Sequence, residues 1–545
     1  MDKLSPEIVD LIVSFLSNDE LPDIATVSRM FQRSVEMRTF KKIRIRTEGA
    51  GIHEFERIWR LERRPALRNL IIDLAVQKSY CEDLPMPKKH SRVDTTATLA
   101  PLRRLWDFLS SAWAEASLER GNVTLTLTNS GRCDQLSQVR LERPRPDNVQ
   151  YPPLSAIDLI ADAEDLPALP FVRSFELKPG WYYWHPRMGV ILASSMPNLE
   201  SVWWQLDNAG PCQWGHYYSI DKQCRDELVQ VIKAKRLPSS VKDFRFRLKR
   251  PIILLPTHAL PRLIEFGKPD PLSHAMRELT RHCDQIHLSG SFGPSLFDPP
   301  NAGPTEQLCW QSTTRLLVEM AIYYPDGSWL LQTEGSNYFN LNLDECVLDC
   351  TQLPPGYGDT KEERVAAFEY FKDHRQLMQT GCGYEPRYTL VPDNEKLNIL
   401  LVAFARCCAR MPALEVAQVE LNVKSMFQLR YGVYSDDFPF AVACVAPFCR
   451  PSWEVGERYL SNSWTVLLHV HDWRPTSATI TELEYIGVVK DGQPSIISYI
   501  EAFQPEHADS QESFMRRQHS RRLPHQRPRQ RPRQRPRQRP RQFTE

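Results

Sequence analysis

The sequence predicts a mixed helix-and-strand protein of the α+β or α/β class in three parts: a small three-helix unit, a long body alternating helix and strand, and an extended basic tail. Three observations carry this. Apolar residues recur at helical spacing in the first 45 residues. Farther on, helical stretches are each followed by a short alternating apolar run. After Glu501 the composition turns polar and basic, and residues 527–542 are four copies of Arg-Pro-Arg-Gln.

The first helix opens at Ser5, a suitable N-cap, with Pro6 at the first helical position and Glu7 near the positive helix end. Ile8, Leu11, Ile12, Phe15 and Leu16 fall at i, i+3, i+4, i+7 and i+8, one helical stripe. Val9 and Val13 lie off that stripe, so the helix is apolar on more than one side. Ser17-Asn18-Asp19 break it. A second helix carries Ile24, Val27, Met30 and Phe31, a short third spans 34–38, and Ile43-Arg44-Ile45 alternates like a strand. Three helices of this size make a weak solitary core. The surplus apolar face requires a cover, from the rest of the chain or from a partner.

In the body, helices are expected at 53–62, 97–117, 190–195, 225–234 and 272–281. Strands are expected at 67–76, 123–128, 172–177, 199–206, 241–248 and 285–288. Met196-Pro197-Asn198-Leu199 looks like a leucine-rich-repeat strand entry. True leucine-rich repeats run at about 20–29 residues, whereas Val123, Val172, Leu199 and Val241 are 49, 27 and 42 residues apart. Residues 50–300 therefore read as an irregular leucine-rich-repeat-like region. Residues 305–503 form a C-terminal α/β region, either separate or continuous with the preceding one. There Thr360-Lys361-Glu362-Glu363 is a capping box opening a helix. Leu397–Cys408 is a strong apolar helix, and strands are expected at 315–323, 416–421, 438–444, 463–470 and 480–489. The organisation is thus 1–46, 50–300, 305–503 and a disordered tail, 506–545, in which proline at every fourth residue of 527–542 forbids helix and core.

Composition narrows the class. With 42% hydrophobic and 25% charged residues, most of the 545-residue chain can bury a core. No run approaches the ~20 apolar residues of a membrane span, and the first residues lack the basic and apolar regions of a signal peptide. Thirteen cysteines in such a chain are expected as reduced thiols, in the cytoplasm, the nucleus or both. The net charge of +1 is a cancellation: residues 516–545 hold twelve arginines and one acid, leaving 56 basic and 66 acidic residues before them.

No sequence motif for catalysis stands out. There is no nucleophile elbow, phosphate-binding P-loop, dinucleotide fingerprint or zinc-protease motif, so the chain reads as a non-enzyme with no cofactor. Gly356-Tyr357-Gly358 lacks a P-loop lysine and reads as a turn. Cys346, Cys350, His374 and Cys382, and likewise Cys212, His216 and Cys224, lack the tight paired spacing of zinc sites and read as structural thiols. Aromatic clusters point instead to recognition. Trp181, Tyr182, Tyr183 and Trp184 are consecutive, Trp203-Trp204 follow, and a strand can bury only alternate members of such runs. These six residues are the candidate substrate surface. The arginine tail suits polyanions or nuclear import, or is repeat expansion without function.

The N-terminal unit resembles an F-box in its filamentous-fungal form. That family begins Leu-Pro-x-Glu-Ile/Leu, continues as an apolar helix and reaches a Val-Ser/Cys-Arg-x-Trp segment. The match is Leu4-Ser5-Pro6-Glu7-Ile8, then Leu11, Ile12 and Leu16, then Val27-Ser28-Arg29-Met30-Phe31. Ser5 replaces a proline and Phe31 a tryptophan. Phe55-Glu56-Arg57-Ile58, Asp270-Pro271-Leu272-Ser273, Pro325-Asp326-Gly327-Ser328-Trp329 and the 403–414 run are similar to a fungal F-box family whose C-terminal region has no known function. The resemblance implies that Leu4, Pro6, Ile8, Leu11, Ile12, Leu16, Val27 and Phe31 contact the Skp adaptor of a cullin-RING ubiquitin ligase, while the body holds a protein substrate. The alternatives are a scaffold unconnected with ubiquitin, or a polyanion binder acting through its tail. No membrane partner is expected, and nucleic acid only through the tail.

Overall fold

Twelve strands join into one sheet in the computed structural model, which describes residues 4–59, 61–75, 95–114, 122–130, 166–180, 184–206, 217–248, 263–265, 267–298, 310–328, 330–333, 390–421, 440–451, 461–470 and 473–500. The strands are β1 (Lys42–Arg46), β2 (Asn69–Ala75), β3 (Val123–Ser130), β4 (Val172–Leu177), β5 (Ser201–Gln205), β6 (Asp243–Arg247), β7 (Gln285–Gly290), β8 (Arg315–Met320), β11 (Val416–Leu421), β12 (Phe440–Val445), β13 (Thr465–His469) and β14 (Ile496–Tyr499). Between β8 and β11, β9 (Leu331–Thr333) and β10 (Leu390–Pro392) form a separate antiparallel pair. From β1 to β11 each strand of the large sheet lies parallel to the one before it. Only β12 runs antiparallel to its neighbours.

Parallel neighbours need a crossover, usually helical. Ten α-helices are described: α1 (Pro6–Phe15), α2 (Leu21–Ala25), α3 (Arg29–Thr39), α4 (Gly51–Ile58), α5 (Thr95–Ala114), α6 (Arg187–Ser194), α7 (Tyr217–Ala234), α8 (Pro271–Leu279), α9 (Asn394–Arg410) and α10 (Ser477–Asp491). Alternate strand residues such as Leu125, Phe175, Trp204, Phe246, Leu288, Val318 and Val419 share one core with Leu105 of α5, Leu228 of α7, Met276 of α8 and Phe404 of α9. The crossover helices thus cover one face of the sheet; on the other face, among the described residues, Trp203 and Arg245 are exposed, while Val416, Ala443, Val445 and Leu467 form a small buried cluster over β11–β13. The boundary expected between 300 and 305 falls between β7 and β8, which pair directly.

A buried ion pair locks the middle of this layer. Asp270 caps α8, its carboxylate accepting from the amides of Leu272 and Ser273, both at 3.1 Å. The same carboxylate meets Arg225 of α7 at 2.7 Å, and Arg225 also donates to the carbonyl of Ser291. Asp270 thus starts α8 and ties it to α7, and Arg225 ties α7 to the segment after β7.

Two local expectations are corrected. Residues 480–489 are not a strand but the middle of α10. Thr476 caps it by accepting from the Thr479 amide, and Thr479, Leu483 and Ile486 recur at helical spacing toward the core. Gly492 ends it with φ 73°, a conformation that favours glycine. Near the N-terminus, the second and third helices divide differently. Ser28 accepts from the Phe31 amide and starts an eleven-residue α3, so Met30 and Phe31 belong to that helix.

Candidate functional site

Within α1 the apolar stripe read from the sequence and the buried face are different. Val9 and Val13, the off-stripe pair, are almost wholly buried with Leu21, Phe31 and Val35 in a small core of their own. The stripe itself faces outward: Ile8 is 45% exposed, Leu11 53% and Phe15 81%, with Ile12 and Leu4 beside them. Val27 is exposed and Leu16 half-buried. Ser5 occupies the N-cap position with extended backbone, Pro6 follows at the first helical position, and no side-chain cap bond forms. The Glu7 carboxyl is held below its usual range by its own backbone amide and by Ser5.

Polar ties aim this face. Ser34 of α3 donates to the Asp10 carboxylate, and Arg38 donates to the Val13 carbonyl. Both engage the side of α1 away from the stripe. Arg63, before β2, then pairs with Glu36 at 2.7 Å, donates to the Ile58 carbonyl and lies over the Phe40 ring at 4.6 Å. The helical unit is thereby fixed to the body through α3.

Of the eight residues carried over as adaptor contacts, Leu4, Ile8, Leu11, Ile12 and Val27 are exposed. Pro6 is exposed at the helix start and Leu16 packs partly on the small core. Phe31 is a correction: it is 6% exposed and belongs to the small core, packed in one cluster with Val9 and Val13 of α1.

The candidate substrate surface divides the same way. Trp181, Tyr182 and Tyr183 lie outside the described residues. Trp184 is buried and donates its indole N–H to the Lys178 carbonyl at 2.6 Å. Trp204 is fully buried, edge-on to Phe244 at 5.2 Å, and a Cβ on Gly189 of α6 would lie 2.5 Å from its ring. Trp184 and Trp204 are therefore core residues and not a binding surface. Trp203, on the opposite side of β5, reaches the open face at 36% exposure, with Lys178 5.3 Å from its ring centre.

Register places Trp203 in a row that no sequence motif announces. Arg44, Ile71, Thr126, Glu176, Trp203, Arg245, His287, Leu317 and Gln418 are successive cross-strand partners from β1 to β11. Glu176 accepts from Thr126 at 2.9 Å and pairs with Lys178 at 2.7 Å. Arg245 pairs with Asp243, and Glu319 meets His287 at 3.1 Å and Ser289 at 3.0 Å. Thr126 and Gln418 in this row are buried, whereas Glu176, Trp203, Arg245 and His287 between them are exposed or half-buried and can hold a polypeptide by hydrogen bonds and charge. The signal of this row in the sequence is the polar half of each strand's alternation, which becomes a surface only once pairing is known.

The thiols of Cys283 and Cys408 are pushed up by burial, Cys283 to about 12. Such thiols are poor nucleophiles. Among the described residues no group of three or more His, Cys, Asp and Glu side chains is placed to hold a metal ion. Cys346, Cys350, His374, Cys382, Cys212, His216, the 356–358 turn, the 360–371 helix and the basic tail lie outside the described residues. No helix of the described residues is long and apolar enough to cross a membrane. No protein-family model matches the chain, and no curated protein does.

Proposed function

We propose that this chain is the substrate-recognition subunit of a Skp-cullin-F-box ubiquitin ligase, with the α1–α3 unit acting as an F-box on the Skp adaptor. The observation that carries this reading is the outward stripe of α1. Ile8, Leu11, Ile12 and Phe15 stand together on one helix face while the helix is anchored through its other side. A short unit folded on its own would gain by turning its richest apolar face inward. Each such side chain contributes about 1.5–3 kcal/mol when fully buried, so the outward face is matched to an apolar partner. Association and ordering offset part of that gain.

The body takes the part of a substrate receptor. Its parallel strands and one-sided helices suit a leucine-rich-repeat-like solenoid, whose extended faces serve binding. The row through Glu176, Trp203, Arg245 and His287 is the surface on which a protein substrate is held. Ubiquitin transfer would be performed by other subunits, and no residue of this chain carries a covalent step.

Co-purification of the full chain with a Skp-type adaptor tests the reading. Stoichiometric capture is expected, and the Leu11→Ala/Phe15→Ala variant should lose it while keeping the parent melting temperature. A folded parent chain that captures no adaptor refutes the proposal. So does a variant that binds as well as the parent.

A further inference from the structure

The first strand of the large sheet carries a strip of positive charge that the docking of α1 does not use. Residues 38–46 hold five basic residues and no acid, in a body where acids outnumber bases. β1 is the outermost strand and pairs with β2 alone. The Lys41 carbonyl accepts from the amides of Arg68 and Asn69, and the Thr47 amide donates to the Asp73 carbonyl, all on the β2 side. Strand alternation then turns the N–H and C=O groups of Lys42, Arg44 and Arg46 to the free edge. The same three residues are exposed, whereas Ile45 between two of them is buried. Main-chain groups and positive charge are thus offered by one set of residues.

The strip is short of counter-charge. Arg44 and Arg46 share the buried Asp73 carboxylate at 2.7 and 3.9 Å, and their side chains remain 57% and 67% exposed. Among the described residues Lys41 and Lys42 meet no acid. The bond from the Arg68 amide sets a further exposed cation beside Lys41. Charges on an edge strand ordinarily turn away an identical strand. The same charges attract a strand of opposite sign. A polyanion without peptide groups would meet the charge and leave the edge hydrogen bonds unmade, so the two features together favour a polypeptide.

We propose that the β1 edge is a docking site for an acidic, extended segment of a partner protein, which adds to the sheet as a further strand. Carboxylates at every second residue of that segment would stand beside Lys42, Arg44 and Arg46, about 5 Å away across the strand pair. Its main chain would satisfy the groups that β1 leaves open. The inference is independent of any adaptor docked on α1.

Fluorescence anisotropy of the full chain with a labelled peptide, Glu-Val-Glu-Val-Glu-Val-Glu, tests it. The control is the same peptide N-methylated at every amide, which keeps the charge and cannot donate to the edge. The basic tail attracts any polyanion, and because both peptides carry the same charge its contribution cancels in the comparison. The parent chain should bind the first peptide at least about tenfold tighter than the control, or by ~1.4 kcal/mol. Lys42→Glu and Arg46→Gln change exposed positions, so both variants should melt with the parent and erase that difference. Phe15→Asp on α1 should leave it unchanged. Equal binding of the two peptides overturns the proposal, as does a parent chain that binds neither. A difference that survives both edge variants overturns it too. So does a single-stranded oligonucleotide that displaces the peptide and its control alike and loses affinity with Lys42→Glu, which would assign the strip to nucleic acid.

Discussion

The helical unit and the sheet body treat their apolar residues in opposite ways. The body gathers Trp106, Phe175, Trp204, Phe246, Phe292 and Phe404 into one core and sets Glu176, Arg245 and His287 beside Trp203 on the opposite side of the sheet. The α1–α3 unit buries five residues in a core of its own and leaves Leu4, Ile8, Leu11, Ile12, Phe15, Val27 and Met37 exposed. In the body, hydrophobic residues report what holds the fold together. In α1 the same residue types stay outside the core of their own unit. An apolar stripe therefore states that burial is needed without stating which molecule supplies the cover.

Mutations should separate the two regions. The largest effect is expected in the body from Asp270→Ala, which strands Arg225 as an uncompensated buried charge and removes the α8 cap. Breaking such a pair costs about 3–5 kcal/mol. Chemical denaturation should show this as a lower midpoint for the sheet, and an unchanged midpoint would mean that the Arg225–Asp270 clamp holds nothing.

The next effect is a pH dependence that arises in the body, at His185. Burial, aided by Arg187 and opposed by Glu227, lowers His185 to about 4. Neutral His185 accepts from the Arg187 amide at Nδ1 and donates to Glu227 from Nε2 at 3.2 Å. The folded value lies below the ordinary ~6.5, so the unfolded chain binds the extra proton first. Stability is therefore complete above about pH 6.5 and declines toward pH 4, by up to about 3 kcal/mol. A His185→Gln variant should flatten that slope in thermal melts, and an equal slope in parent and variant would assign the pH dependence elsewhere.

The smallest stability effect is expected on the outward stripe of α1, the face to which the proposed adaptor docking assigns the largest functional effect. Leu11→Ala and Phe15→Ala remove outward side chains and should shift stability by no more than about 0.5 kcal/mol. Substantial unfolding by either would make the stripe ordinary core and erase the contrast between the two regions.

Much of the body was legible in its alternation. The runs at 123–128, 172–177 and 416–421 are strands, and the apolar stretch 397–408 lies inside α9. The 480–489 segment misled because its apolar residues fit a strand nearly as well as a helix. The Thr476 cap and the neighbouring α9 decide for the helix. The Trp203-Trp204 pair was legible as one ring in and one ring out. Which ring went inward was not, because that depends on which face the helices cover.

The sequence by itself determined the local elements, since capping, apolar spacing and strand alternation act over a few residues. It also determined that α1 carries more apolar surface than a forty-residue unit can use. Tertiary structure alone decided that Val9 and Val13 face inward, that β7 and β8 join one sheet across the expected boundary, and that Glu176, Trp203, Arg245 and His287 stand in one row. Each of these follows from contacts between residues distant in the chain. Such contacts are selected by the packing of whole elements, whereas sequence periodicity records only the preferences within each one.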